Sequence, residues 1–149
     1  MPTDHADAIL VATDGSDAST AALERALAVA ERTGAVVHLL AVADTAGSPM
    51  TFGVDDVEEL ELAKRRLVDG VVETIDDRDV DVSGVVRRGA PAREIVRYAD
   101  ETDVDAIVLG RTGRAGAAGA MLGSTADRVL RRTGIPVLVV PDAPEDGGS

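Results

Sequence analysis

The sequence predicts an α/β fold, a single domain in which parallel strands are covered by helices on both faces. Three observations carry this. Short apolar runs alternate with longer stretches of helical period along the chain. The first run, Ala8–Ala12, is apolar throughout, as suits a strand buried on both faces. And 149 residues make one ordinary domain, able to bury a full core.

After Ala8–Ala12 comes the turn Thr13-Asp14-Gly15-Ser16, where Ser16 or Asp17 is placed to cap a helix. In that helix Leu23, Ala26, Leu27 and Ala30 form one apolar stripe, Glu24, Arg25, Glu31 and Arg32 lie off it, and Gly34 ends it. Val36–Ala43 reads as the second strand. His38 within it is a packing or edge-facing residue rather than a catalytic one. Asp44–Gly53 is a variable surface connection.

From about Val54 to Asp76 the pattern is helical again, with Leu60, Ala63, Leu67 and Val71 on one line and Glu61 spaced to pair with Arg65. Val80–Val86 is the third strand, in which Gly84 signals a bulge or a close approach. Arg87, Arg88 and Gly89 follow it. Pro91 then opens a helix with Ala92, Ile95, Val96 and Ala99 on its apolar face. Ala106–Leu109 is the fourth strand. The last helix, Ser124 to about Arg132, buries Val129 and Leu130 and ends in the basic residues Arg128, Arg131 and Arg132, read as a solvated face. Pro136 starts the fifth strand and Val137–Val140 continues it. If that strand lies at an edge, pairing with a second copy would cover it.

Between the fourth strand and the last helix lies a glycine-rich segment, Gly110 to Gly123, with Arg111 and Arg114 inside it. Strand, glycine loop and helix start in that order suit a phosphate cradle. Glycine lets backbone N–H groups approach a ligand closely, a helix amino end adds unpaired donors, and the two arginines supply charge-assisted ones. A plain alternative stands beside this: the loop is only a flexible connection, with Ser124 and Asp127 forming a capping box for their own helix.

The spacing decides what the loop is similar to. Gly110, two residues, Gly113, nine residues, Gly123 and then Ser124 resembles the glycine pattern of the nucleotide-binding branch of the universal stress protein family. Ile9-Leu-Val-Ala-Thr-Asp-Gly-Ser16 near the start and Pro136-Val-Leu-Val-Val140 near the end extend the resemblance over nearly the whole chain. The resemblance implies a doubly wound, adenine nucleotide alpha-hydrolase-like sandwich: a five-stranded parallel sheet in the order 3-2-1-4-5 with four helices, binding ligand where the winding reverses between the first and fourth strands. Carried across by position, Ala12, Thr13, Asp14 and Val42 line the adenosine end, Gly110, Arg111 and Gly113 run under the ribose and phosphates, and Gly123, Ser124 and Thr125 close the phosphate end. Thr112 departs from the His or other polar side chain that the family often has before its second glycine.

Composition removes other classes. No run approaches the ~20 apolar residues of a membrane span. Residues 1–7 carry three charged or titratable groups rather than a signal-peptide core and read as a flexible N-terminus, 8–141 as the domain, and 142–149 as a disordered tail, in a cytoplasmic protein. There is no cysteine, hence no disulfide or thiol chemistry, and His5 and His38 do not make a zinc site. A net charge of -12 with Lys64 as the sole lysine disfavours nucleic acid and anionic lipid. The same acidic composition is similar to that of proteins from salt-loving organisms. A P-loop lysine, a glycine fingerprint after the first strand, and the acidic pair and lysine of a receiver domain are all lacking. No nucleophile with its base and no paired-metal carboxylates are evident. Three readings remain: a homodimeric, ATP-binding regulatory protein of stress responses, with Mg2+ on the phosphates and the Val137–Val140 strand as dimer edge; an adaptor of the same fold without nucleotide binding; and a slow ATP hydrolase.

Overall fold

The computed structural model describes residues 7–45, 54–111 and 123–141. The elements alternate: β1 (Ala8–Ala12), α1 (Asp17–Thr33), β2 (Val36–Asp44), α2 (Val54–Thr74), β3 (Val82–Gly89), α3 (Pro91–Thr102), β4 (Ala106–Gly110), α4 (Ser124–Arg132) and β5 (Val137–Val140). The five strands are all parallel and ordered β3-β2-β1-β4-β5. This is the expected doubly wound α/β sheet.

Side-chain alternation along the central strands explains the two-sided burial. Ile9, Val11, Val37, Leu39 and Val108 point to a core shared with α1 and α2, and Leu10, Leu40, Val42, Ile107 and Leu109 to one shared with α3 and α4. The predicted α1 stripe is buried as a unit, and Gly34 closes the helix in the left-handed conformation at φ 80°. Pro91 sits at the start of α3 as expected.

Several expectations need correcting. On α2 the buried centre is Val68, not the Leu60–Ala63–Leu67–Val71 line, and Ala63 is exposed. The cause lies in β3: a side chain on Gly84 would collide with Val68 Cγ1, so Gly84 is the close approach that admits Val68. Glu61 does not pair with Arg65; it faces Arg88 across 3.7 Å, while Arg65 pairs with Asp69 at 3.5 Å. The helix ends at Thr74 rather than Asp76, and Leu130 on α4 is exposed.

The third strand is the largest shift. It begins at Val82 and runs through Arg87, Arg88 and Gly89, because β2 continues to Asp44 and supplies partners as far as the Asp44–Gly89 pair. β5 does lie at an edge, with Leu138 46% exposed. Among the described residues no helix is long and apolar enough to cross a membrane.

Candidate nucleotide site at the strand carboxyl ends

The winding reverses between β1 and β4, and in doubly wound sheets the carboxyl ends of the strands at such a reversal are where ligands bind. The register pairs Val11 with Val108; two residues further, Thr13 and Gly110 come to the same level. Two stretches singled out separately in the sequence thus meet at one place. β2 continues beyond Leu40, the partner of Ala12, and Val42 forms the side wall on the α3 face.

The β1–α1 turn is braced from within. The Thr13 N–H donates to Leu40 O at 2.8 Å. Its buried hydroxyl meets Ser19 Oγ at 3.1 Å and accepts from the Gly15 N–H at 3.2 Å. Asp14 Oδ1 accepts from the Ser16 N–H at 2.9 Å, the local bond that favours aspartate in turns. Gly15, at φ 84°, supplies the left-handed step between them. Ser16 then caps α1, its Oγ accepting from the Ser19 N–H at 3.2 Å. The amino end of α1 is thereby served by its own chain.

Gly110 has a packing role that sequence reading missed. A Cβ there would lie 2.6 Å from the carbonyl carbon and oxygen of Ala18, so only glycine lets the first turn of α1 rest on the end of β4. Arg111, half-buried, continues the strand pairing by donating its N–H to Val140 O at 2.9 Å. Its carbonyl accepts from the Gly123 N–H at 2.6 Å, so the chain leaves at Arg111 and returns beside it at Gly123. Gly113 and Arg114 lie outside the described residues.

The amino end of α4 is built differently from that of α1. Gly123 is the N-cap, so no side chain caps the helix, and Ser124 is the first helical residue. The capping box expected of Ser124 and Asp127 does not form: Asp127 Oδ2 instead accepts from Arg131 Nε at 3.0 Å. Ser124 is exposed and Thr125 half-buried at the same turn. An anion placed here would meet first-turn N–H groups that have no intrahelical partners, with no capping side chain in competition. That geometry fits a phosphate.

The Val42 wall is held from behind. Arg87, its register partner on β3, lies with its guanidinium carbon 5.0 Å from the centroid of the Tyr98 ring. It donates to Glu101 at 2.6 Å and faces the buried Glu94 across 3.8 Å. The Glu101 hydrogen bond raises the Arg87 pKa and lowers that of Glu101. Tyr98 reaches His38 Nδ1 at 2.6 Å; burial depresses the His38 pKa and raises that of Tyr98. His38 is therefore a packing residue, as expected. Among the described residues no group of three or more metal-ligating side chains comes together.

Comparison with known proteins identifies the family and agrees with the fold. The model of the universal stress protein family matches residues 5–141. The chain belongs to that family. It is 33% identical over 136 residues to the universal stress protein MJ0531 of Methanocaldococcus jannaschii, covering 89% of this chain and 80% of that one. Among solved structures of similar fold, that of MJ0577 superposes with a TM-score of 0.83 at 27% identity, covering 93% of this chain and 98% of the other. A universal stress protein from Archaeoglobus fulgidus, solved in complex with dAMP, superposes with a TM-score of 0.64 at 25% identity, covering 93% of this chain and 99% of the other. This universal stress protein chain thus shares its fold with a relative that holds an adenine nucleotide.

Proposed function

We propose that this chain is an ATP-binding universal stress protein, a regulatory protein whose nucleotide state alters what it contacts. The observation that carries the reading is the amino end of α4, capped by Gly123 without a side chain and held by the Arg111 carbonyl beside the winding reversal between β1 and β4. Ala12, Thr13, Asp14 and Val42 form the base and ribose end. Because the Thr13 hydroxyl is committed to the turn, Thr13 contributes shape and backbone there. Gly110, Arg111 and Gly113 underlie the ribose and phosphates, Ser124 and Thr125 receive the phosphates with their N–H groups, Gly123, whose own N–H is held by the Arg111 carbonyl, leaves room for them, and Arg114 adds charge. Mg2+ travels on the phosphates.

The relative in complex with dAMP supports an adenine nucleotide as the ligand class. The working form is a cytoplasmic homodimer joined along β5, whose edge position and half-exposed Leu138 leave a strand to be covered. The acidic composition suits concentrated salt.

Calorimetric titration of Mg-ATP into the protein in concentrated KCl, beside Gly123→Val, tests the reading. The backbone of Gly123, at φ -65° and ψ 155°, accepts valine without strain, so the variant folds while its side chain blocks the cradle. Saturable heat from the parent and none from the variant is expected. A folded parent that gives no heat, and no binding by a second method, would leave an adaptor of the same fold as the account.

A further inference from the structure

Helix α4 stands apart in charge. Over the whole chain acidic residues outnumber basic ones, giving a net charge of -12. The same imbalance holds within α1, α2 and α3, but α4 carries Arg128, Arg131 and Arg132 against Asp127 alone. Asp127 is engaged by Arg131 at 3.0 Å. Arg128 has no such partner among the described residues, and its helical neighbours three and four positions away are Ser124, Thr125, Arg131 and Arg132, none of them acidic.

Position gives this arginine a use. Side chains on an α-helix lean toward its amino end and cover the preceding turn. Arg128 is exposed and stands one turn after Ser124 on the same face, a position from which an arginine side chain reaches the turn that opens at Gly123. First-turn N–H groups can serve a single phosphate. A longer phosphate chain needs donors beyond that turn, and it also meets stronger repulsion from a -12 protein for each added charge. An arginine fork, always protonated and matched to phosphate oxygens, answers both needs.

We propose that Arg128 is a specificity-determining residue of the nucleotide site, holding the phosphates beyond the first and so favouring ATP over AMP. This rests on the nucleotide-binding reading above.

Titrations of Mg-ATP and of AMP into the parent, Arg128→Gln, Arg128→Lys and Arg132→Gln test it at one KCl concentration, with thermal melts confirming that each variant folds. Loss of one charge-assisted contact predicts roughly a tenfold weaker ATP affinity for Arg128→Gln. AMP affinity stays at the parental value, Arg128→Lys recovers part of the loss, and Arg132→Gln matches the parent for both ligands. Unchanged ATP affinity in Arg128→Gln, or an equal loss for ATP and AMP, overturns the assignment of Arg128 while leaving the site intact. A folded parent that binds neither nucleotide overturns the site reading and this inference with it.

Discussion

The amino ends of α1 and α4 both open at the carboxyl edge of the sheet, on its opposite faces beside the reversal between β1 and β4, yet they are finished in opposite ways. At α1 the chain satisfies itself: Ser16 caps, Asp17 stands in the first turn, and Thr13, Gly15 and Ser19 lock the approach. At α4 the cap is a glycine, the nearby carboxylate is turned to Arg131, and the helix carries three arginines against that one acid. Both ends carry the same partial positive charge from the helix. Of the two, only the second has no capping side chain among the described residues, which is why the phosphates are assigned there.

The most severe way to break this contrast is to finish α4 as α1 is finished. Gly123→Asp places a capping carboxylate where the phosphate is assigned. Like-charge repulsion and lost donors are expected to weaken Mg-ATP binding by at least roughly a hundredfold, measured by calorimetry. Folding stability should change by only a few tenths of a kcal/mol, since aspartate and glycine are both accepted as caps. A variant that binds ATP as the parent does would show that the cradle lies elsewhere.

A smaller effect is expected from undoing α1. Ser16→Ala removes the acceptor for the Ser19 N–H and should cost about 1 kcal/mol, seen as a fall of roughly 3 °C in Tm. ATP affinity should move much less than in Gly123→Asp. A large loss of ATP affinity at unchanged Tm would mean that Ser16 serves the ligand rather than the helix.

What was legible in the sequence follows the same division between local and tertiary causes. The α1 cap, its apolar stripe and Gly34 depend on neighbours in the chain, and each stands where the pattern puts it. The strand order came from the family resemblance, since alternation alone leaves it open. The false capping box at Ser124 shows the limit: the helix begins one residue earlier than a Ser124 cap requires, with Gly123 as the cap, tied to the Arg111 carbonyl by a contact made across the loop. Likewise nothing in Arg87-Arg88-Gly89 announces a strand. Pairing with a longer β2 extends it, and the Tyr98 ring with Glu94 and Glu101 makes room for Arg87 on a sheet face. Val68 escaped notice on α2 for the same reason, its burial being set by the missing side chain of Gly84.

The central claim, that the uncapped end of α4 rather than the capped end of α1 receives the phosphates, is tested most directly by amide NMR of the full chain titrated with Mg-ATP. The largest shifts are expected at Gly123, Ser124 and Thr125, accompanied by Ala12–Asp14 and Gly110–Arg111, with smaller ones in the first turn of α1. Shifts centred on Ala18–Thr20 with Gly123–Thr125 unmoved, or a folded protein whose spectrum ATP does not change, would contradict it.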